Sequence, residues 1–522
     1  MTADYDLVVI GGGINGAGTA RDAAGRGLKT LLAEKDDLAQ GTSSRSGKYI
    51  HGGLRYLEHY EFRLVREALR ERDVILNAVP HLAWPIRLIL LHAPQQRPRW
   101  LIGLGLFLYD HLGGRSRIPM TQALRLNREP EGSRVNSTYR HAFAYHDVWV
   151  DDARLVILNA RDAAQRGAEI LTRTAVTALN REGANWRVSL QGDLGQRDVS
   201  ARAVFNATGP WVEQVISSAS EVTSSKRIRL VKGSHLIMDR WWDGEHGYVL
   251  QAPDNRLIFV NPYFDNLALV GTTDIPYSGR PEDVEADTAE TTYLLNILNM
   301  YFTHPLSEKD IRASYSGVRP LFDDDAAKDA STVTRDYSFE LDGGAGKAPL
   351  LSAFGGKLTT YRKLSEAALH KLRPYFPDMG PDWTSDIALP GGEMPDADFN
   401  AWFTRFRADF PCLPDILARH YARNYGTESR HLLHDVSSIA DLGHHFGSHL
   451  YAREVDWLIR HEWAQTADDI LFRRTKHHLF MSPAEQDRFA TWLNTYVSDR
   501  AQMSAYEPDG KECSDPVSES PR

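Results

Sequence analysis

Apolar positions dominate Tyr5 to Ile10, an alanine-rich segment with helical character follows, and a second apolar run ends at Glu34. Between the first run and the helix stands Gly11-Gly12-Gly13-Ile14-Asn15-Gly16. This order of strand, glycine turn, helix, strand and acid predicts a dinucleotide-binding βαβ unit. Gly11 and Gly13 let the backbone turn tightly and approach a pyrophosphate, Ile14 and Asn15 open the helix at the phosphates, and Gly16 lets that helix pack on its strand. Glu34 falls where an acid grips a ribose hydroxyl, which argues for FAD or NAD and against the 2′-phosphate of NADP. The pattern alone leaves FAD and NAD open.

Further along, Phe62, Val65, Leu69, Ile75 and Val79 recur near helical spacing and predict a surface helix ending at Pro80. A second helix is expected over Asp152–Arg166, then strands over Glu169–Leu179, Trp186–Leu190 and Ser200–Asn206, in the alternation of a nucleotide domain. From Ile228–Met238 through Gly247–Val260 to Leu267–Thr272 the pattern changes to β-branched and aromatic runs, which predict an antiparallel sheet. The break Leu389-Pro-Gly-Gly-Glu-Met-Pro395 precedes a Trp-, Arg- and His-rich segment of helical period to about Asp499. From about Gln502 the chain is polar and Pro/Ser-containing, the composition of a disordered tail.

The stretch Trp100 to Tyr109 carries no charge before its end and is bordered by Arg97, Arg99, Arg115 and Arg117. Two readings stand: a helix lying in a bilayer interface, or a buried core helix. No run reaches the roughly 18 apolar residues of a spanning helix, and the first strand begins too close to Met1 to leave room for a signal peptide.

Composition narrows the function classes. A chain of 522 residues has room for two to four domains at roughly 100–200 residues each. A net charge of −9 speaks against nonspecific nucleic-acid binding, which needs a positive surface. The two cysteines, Cys412 and Cys513, have neither metal-like nor redox-like spacing and point to a reducing compartment.

Several segments carry chemistry-bearing residues. Thr42-Ser43-Ser44-Arg45-Ser46-Gly47-Lys48 follows the ribose acid, and His51-Gly52-Gly53-Leu54-Arg55-Tyr56-Leu57 sets paired glycines beside a histidine, an arginine and a tyrosine. The glycines of Phe354-Gly355-Gly356-Lys357-Leu358-Thr359-Thr360 expose amides at the start of a helix-like segment, suited to a negative charge developing on a reduced flavin. These segments, with Trp149-Val-Asp-Asp-Ala-Arg154, Asn206-Ala207-Thr208-Gly209-Pro-Trp211, Lys232-Gly-Ser-His235, Gly271-Thr-Thr-Asp274 and Tyr315-Ser-Gly-Val-Arg-Pro320, stand in an order that closely resembles the FAD-dependent (aerobic, respiratory) glycerol-3-phosphate dehydrogenases. His420-Tyr-Ala-Arg-Asn-Tyr-Gly426 and Ala467 to Thr475 resemble that family's helical cap. Gly47 and Tyr49 depart from it, standing where serine and leucine are commoner.

The resemblance implies an α/β plus α protein with a Rossmann-like FAD domain (1–80, 145–225, 335–388), an antiparallel-sheet substrate and membrane-facing domain of the glycine/D-amino-acid oxidase kind (81–144, 226–334), a helical C-terminal domain (389–501) and a tail (502–522). It implies FAD as cofactor, held by Gly11, Gly13, Ile14, Asn15, Gly16, Glu34, Thr42, Ser43, Ser44, Lys48, His51, Gly52, Gly53, Val176, Ala207, Thr208, Gly209, Asp274 and Gly355 to Thr359. The implied reaction is oxidation of sn-glycerol 3-phosphate to dihydroxyacetone phosphate, with a hydride passing to flavin N5. A phosphate needs fixed cations, and Arg55, Arg319, Arg335 and Lys357, with Tyr56, are the candidates. For the base, His235 and His51 stand out among twenty histidines because each adjoins a flavin-facing motif, and Lys357 is the rival. Expected partners are ubiquinone or another membrane quinone and the lipid surface at the cytoplasmic face of the inner membrane, with no nucleic acid and with a homodimer as candidate assembly. An oxidase passing electrons to oxygen, or a non-catalytic flavin and metabolite sensor, are the competing readings.

Overall fold

The computed structural model describes residues 3–93, 96–114, 116–193, 195–323 and 337–505, without the side chains of 55, 58, 59 and 500–505. It divides into two units, Met1–Asp441 and Leu442–Arg522.

The larger unit is built on two sheets. In the first, the strands run in the order Ser338–Gly344, Lys347–Phe354, Gly195–Asn206, Tyr5–Ile10, Thr30–Ala33 and Glu169–Leu171. The central pairings are parallel, with Leu7 opposite both Ala203 and Thr30 and Val204 opposite Leu350. Parallel strands are covered on both faces, which is why Leu7, Val8 and Val9 are fully buried rather than alternating. The glycine-led helix Ile14–Gly25 packs against Asp152–Gln165 and Tyr361–Leu372. The strand expected over Glu169–Leu179 is two, Glu169–Leu171 and Ala175–Glu182, because Arg173 turns the chain at φ 49°. The first half pairs parallel with Thr30–Ala33, and the second turns antiparallel to Asn185–Gly192.

The second sheet follows the order Ile275–Pro276, Arg227–Asp239, Leu267–Gly271, Leu257–Tyr263, Gly247–Gln251, Ala83–His92, His141–Val150 and Tyr49–Ile50. Ile311–Asp323 also pairs with Arg227–Asp239 through a long antiparallel register. The expected Gly247–Val260 run is a hairpin, broken where Asn255 adopts φ 66° and its amide donates to Ala252 O. All pairings are antiparallel except Gly247–Gln251 with Ala83–His92, where Gly247 stands opposite Leu88. The sheet also reaches past its expected boundaries, taking in Tyr49–Ile50 and all of His141–Val150. Trp241, Trp242, Tyr248, Phe302 and the helix Thr288–Tyr301 fill the core over one face.

Helices Phe399–Asp409 and Asp415–Tyr425 belong to the larger unit, so the helical segment expected from residue 389 is shared between the units. The smaller unit holds a short hairpin and the helices Ala452–Glu462 and Pro483–Ala505, with Phe446 packed on Phe489 and Trp492. The last helix extends past residue 501, and the remainder of the expected tail, 506–522, lies outside the described residues.

Candidate active site

A cavity of about 1420 Å³ runs between the two sheets. At one end its wall is backbone. Gly11 has φ +106°, and a Cβ there would lie 2.9 Å from Ala207 O; a Cβ on Gly16 would lie 1.8 Å from Gly11 O. Helix and strand therefore approach more closely than any side chain permits. Ser43 Oγ accepts from the Ile14 amide at 3.0 Å, tying the hydroxyl segment to the helix start. Glu34 accepts from the amides of Gly12 at 2.6 Å and Asp36 at 2.9 Å, while burial holds its pKa above the usual carboxylate range. Asn15 lines the cavity, and its Oδ1 is buried without a hydrogen-bond partner. A buried polar atom left unmet costs about 1–3 kcal/mol, so an elongated ligand with a donor at this point fits the cradle. Gly355 and Gly356, at φ 78° and 101°, lie across from Asn15, whose Nδ2 donates to Gly355 O at 3.4 Å. Trp211 and Lys35 close this end of the cavity, with Lys35 Nζ 4.7 Å over the indole ring.

At the other end the wall is side chains. His235 is 2% exposed and stacks on Tyr315 with ring centroids 4.9 Å apart. Burial, with Arg319 and Lys48 nearby, holds its pKa well below the ordinary histidine value, so the imidazole is neutral. Arg319 Nη1 binds Asp274 Oδ1 at 2.5 Å, which fixes the guanidinium at the cavity edge. Lys357 Nζ sits 4.2 Å over the Tyr56 ring. Thr359 Oγ1 accepts from the His51 amide at 3.2 Å and joins the two glycine-bearing segments.

The structure thus gathers Gly11, Gly13, Ile14, Asn15, Glu34, Thr42, Ser43, His51, Gly53, Tyr56, Val176, Ala207, Thr208, Gly209, His235, Asp274, Arg319 and Gly355 to Thr359 around one cavity. It places four expected cofactor contacts behind that wall. Gly16 serves packing, and Ser44 Oγ donates to Gly41 O. Lys48 is buried against Asp152 at 2.6 Å and donates to Ser44 O, because a buried ammonium must find a counter-charge. The Gly52 amide donates to Tyr109 Oη at 2.8 Å, and a Cβ there would strike Leu69. Arg55 sits in the short helix Leu54–His59, and its side chain lies outside the described residues, as does all of Arg335.

Sequence reasoning noted Tyr49 only as a departure from the family pattern and missed Asp147, Phe259 and Asn261, yet all four line the cavity. The signal for Asn261 is a carboxamide inside the otherwise apolar strand Leu257–Tyr263. Asp147 accepts from Tyr109 Oη at 2.7 Å and pairs with Arg72, and burial raises its pKa to about 6.

The cavity also reaches the helix Arg99–Leu112, where Leu101, Ile102, Leu104, Gly105 and Leu108 line it. Leu106 and Tyr109 are buried, whereas Trp100, Leu104 and Phe107 are 71%, 48% and 55% exposed. The helix therefore buries Leu106 and Tyr109 on one side and carries an exposed apolar stripe on another. Among the described residues no helix is long and apolar enough to cross a membrane.

Residues 6–362 match the family model described as FAD dependent oxidoreductase, and 383–494 match the C-terminal domain of alpha-glycerophosphate oxidase. A D-erythritol 1-phosphate dehydrogenase of Brucella abortus is 54% identical over 94% of this chain and 97% of its own length. The aerobic glycerol-3-phosphate dehydrogenase of Escherichia coli is 48% identical over 96% and 99%. A solved Bacillus halodurans glycerol-3-phosphate dehydrogenase, complexed with FAD, aligns over 95% of this chain and 94% of that one with TM-score 0.72 and 25% identity.

Proposed function

The chain belongs to the FAD-dependent glycerol-3-phosphate dehydrogenase family, and we propose that it oxidises sn-glycerol 3-phosphate to dihydroxyacetone phosphate and passes the electrons to a membrane quinone. One observation carries this reading: a single cavity joins the dinucleotide cradle, the His235, Arg319 and Lys357 cluster, and the exposed apolar helix. Bound FAD, cradled from Gly11 to Asn15 and again at Gly355 to Thr359, supplies the acceptor for the hydride that leaves C2.

The residues of the chain do the rest. Arg319 offers a planar fork to phosphate oxygens, braced by Asp274, and Lys357 adds a second cation. By family resemblance Arg55 and Arg335 complete the phosphate set, with Tyr56 beside it. His235 accepts the hydroxyl proton at Nε2, the ring atom that faces Gly47. Burial and, after it, the Arg319 and Lys48 charges weaken this ring as a base, and the charge of an arriving phosphate offsets the part due to those cations. His51 and Lys357 are the competing acceptors. The stripe Trp100, Leu104 and Phe107, next to Arg97 and Arg99, supports peripheral attachment at the cytoplasmic face of the inner membrane, where a lipid-soluble acceptor reaches the apolar branch of the cavity.

Glycerol 3-phosphate added anaerobically to the purified flavoprotein should bleach the flavin absorption within one turnover. An unchanged spectrum would reject this substrate, and an unchanged spectrum with erythritol 1-phosphate as well would favour a sensor. Reoxidation of the reduced protein should be faster with a quinone analogue than with oxygen, and the reverse order would make it an oxidase. A second substrate reading, D-erythritol 1-phosphate, is favoured by the 54% identity to the Brucella abortus enzyme.

A further inference from the structure

The glycines around the reacting end of the cavity fall into two kinds. A Cβ on Gly271 would lie 2.3 Å from the His235 ring, one on Gly233 2.5 Å from Thr272 Oγ1, and one on Gly317 2.8 Å from Arg45 Cβ. Packing demands glycine at all three. Gly47 differs. Its backbone is outside the left-handed region, and an added Cβ would make only ordinary contacts, 3.5 Å from His235 Nε2 and 3.8 Å from Tyr49 Cδ2. Neither conformation nor packing calls for glycine there, so what the missing side chain provides is room in the cavity beside the imidazole.

That room has polar and apolar walls. Tyr49 is buried, rests on Phe259 with centroids 5.2 Å apart, and its hydroxyl donates to Asn261 Oδ1. With the oxygen so engaged, the NH₂ end of Asn261 is its remaining donor group. Asn261 is 2% exposed and lines the cavity with Tyr49, Gly47 and His235.

We infer that Gly47, backed by Tyr49 and Asn261, makes this a site for a polyol phosphate one carbon longer than glycerol 3-phosphate, a four-carbon tetritol phosphate. The inference rests on the polyol-phosphate reading above. The chemistry matches in size: a serine at this position would place a CH₂OH group there, which is what a tetritol phosphate carries beyond the shorter substrate. Asn261 is the polar group at hand for the added hydroxyl. The redox step keeps its balance. The C–H and O–H bonds of the carbinol next to the phosphomethylene break, a C=O bond forms, the hydride goes to bound FAD and the proton to the base.

The test compares purified holoenzyme with Gly47→Ser and Gly47→Ala, using erythritol 1-phosphate and glycerol 3-phosphate as probes. Measured are kcat/KM for each and the flavin spectral change on anaerobic addition. For the wild type the tetritol phosphate should be at least as good a substrate. Gly47→Ser should lower the ratio of its kcat/KM to that of glycerol 3-phosphate by 10- to 100-fold, the effect of one carbon in a closed pocket, with the loss mainly in KM. Gly47→Ala should lie between, and flavin content in each variant reports folding. If glycerol 3-phosphate bleaches the flavin but the tetritol phosphate does not, or if Gly47→Ser leaves the ratio unchanged, the inference falls while the general reading stands. If neither phosphate bleaches the wild type, both fall.

Discussion

The two ends of the cavity are built on opposite principles. At the cofactor end the surface is main chain, and its shape depends on side chains being absent at Gly11, Gly16 and Gly356. At the reacting end the surface is side chains drawn from widely separated segments: His51, His235, Asp274, Arg319 and Lys357. The first has a local centre, the strand, glycine turn and helix from Tyr5 to Glu34, to which Ala207, Gly355 and Gly356 add more backbone. The second exists only where two sheets face each other. The first therefore depends on backbone approach and the second on which charged side chains the fold brings together, although Gly271, Gly233 and Gly317 leave no room for a Cβ there either.

That contrast can be broken most sharply at Gly16. With its Cβ placed 1.8 Å from Gly11 O, Gly16→Ala must shift helix from strand, and purified protein should retain less than about a tenth of its flavin by absorbance. Full flavin content would show that the close approach is dispensable. At the reacting end, Arg319→Leu should keep the flavin but lose kcat/KM by about 10²–10³-fold, because charge-assisted hydrogen bonds to phosphate contribute roughly 1.5–3 kcal/mol each. Loss of flavin in this variant would mean that the two ends are not separable.

The third region, the apolar stripe, should separate from both. Replacing Trp100, Leu104 and Phe107 together by alanine should weaken binding to anionic vesicles by about 10–100-fold, at roughly 1.5–3 kcal/mol per fully buried side chain and less for shallow insertion. Flavin content and dye-linked activity should remain. Unchanged flotation with vesicles would remove this helix from any membrane role.

The smallest effect expected is on stability. Burial lowers the pKa of His81 to about 3 and of His246 to about 4, and that of His235 still falls well below the usual value. Below about pH 6.5 the unfolded chain binds protons that these folded sites refuse, so stability falls as pH drops. At pH 5 the proton refused by His81 and that refused by His246 each cost about 2 kcal/mol, from the 1.36 kcal/mol per pKa unit. Asp147 works the other way. Its pKa of about 6 lies above the unfolded value, so protonation between pH 7 and 5 recovers about 1 kcal/mol. The net result should be a lower thermal midpoint at pH 5 than at pH 7, and an unchanged midpoint would mean that these imidazoles are not buried neutral.

Much of this was legible in the sequence where contacts are short-range. The Gly11–Gly16 turn, the acid at Glu34, and the parallel strands around Leu7 to Ile10 all appear where the pattern of apolar residues and glycines predicts them. Lys48 shows the limit. It sits among residues that do face the cavity, yet Asp152, over a hundred positions away, draws its ammonium into a buried pair. Asn261 shows the converse, since a polar residue in an apolar strand could only be placed once Tyr49 was seen to reach it.

The sequence by itself determined the centre of the cofactor cradle, because a glycine turn between strand and helix encodes that geometry within one continuous segment. Tertiary structure alone decided which cations and imidazoles share a cavity, that one apolar stripe of the Arg99–Leu112 helix is exposed, and that Gly47 leaves room where Gly271 leaves none. The physical reason is range. Backbone conformation is set by neighbours along the chain, whereas charge pairing, burial and free volume are set by neighbours across the fold, which periodicity does not record.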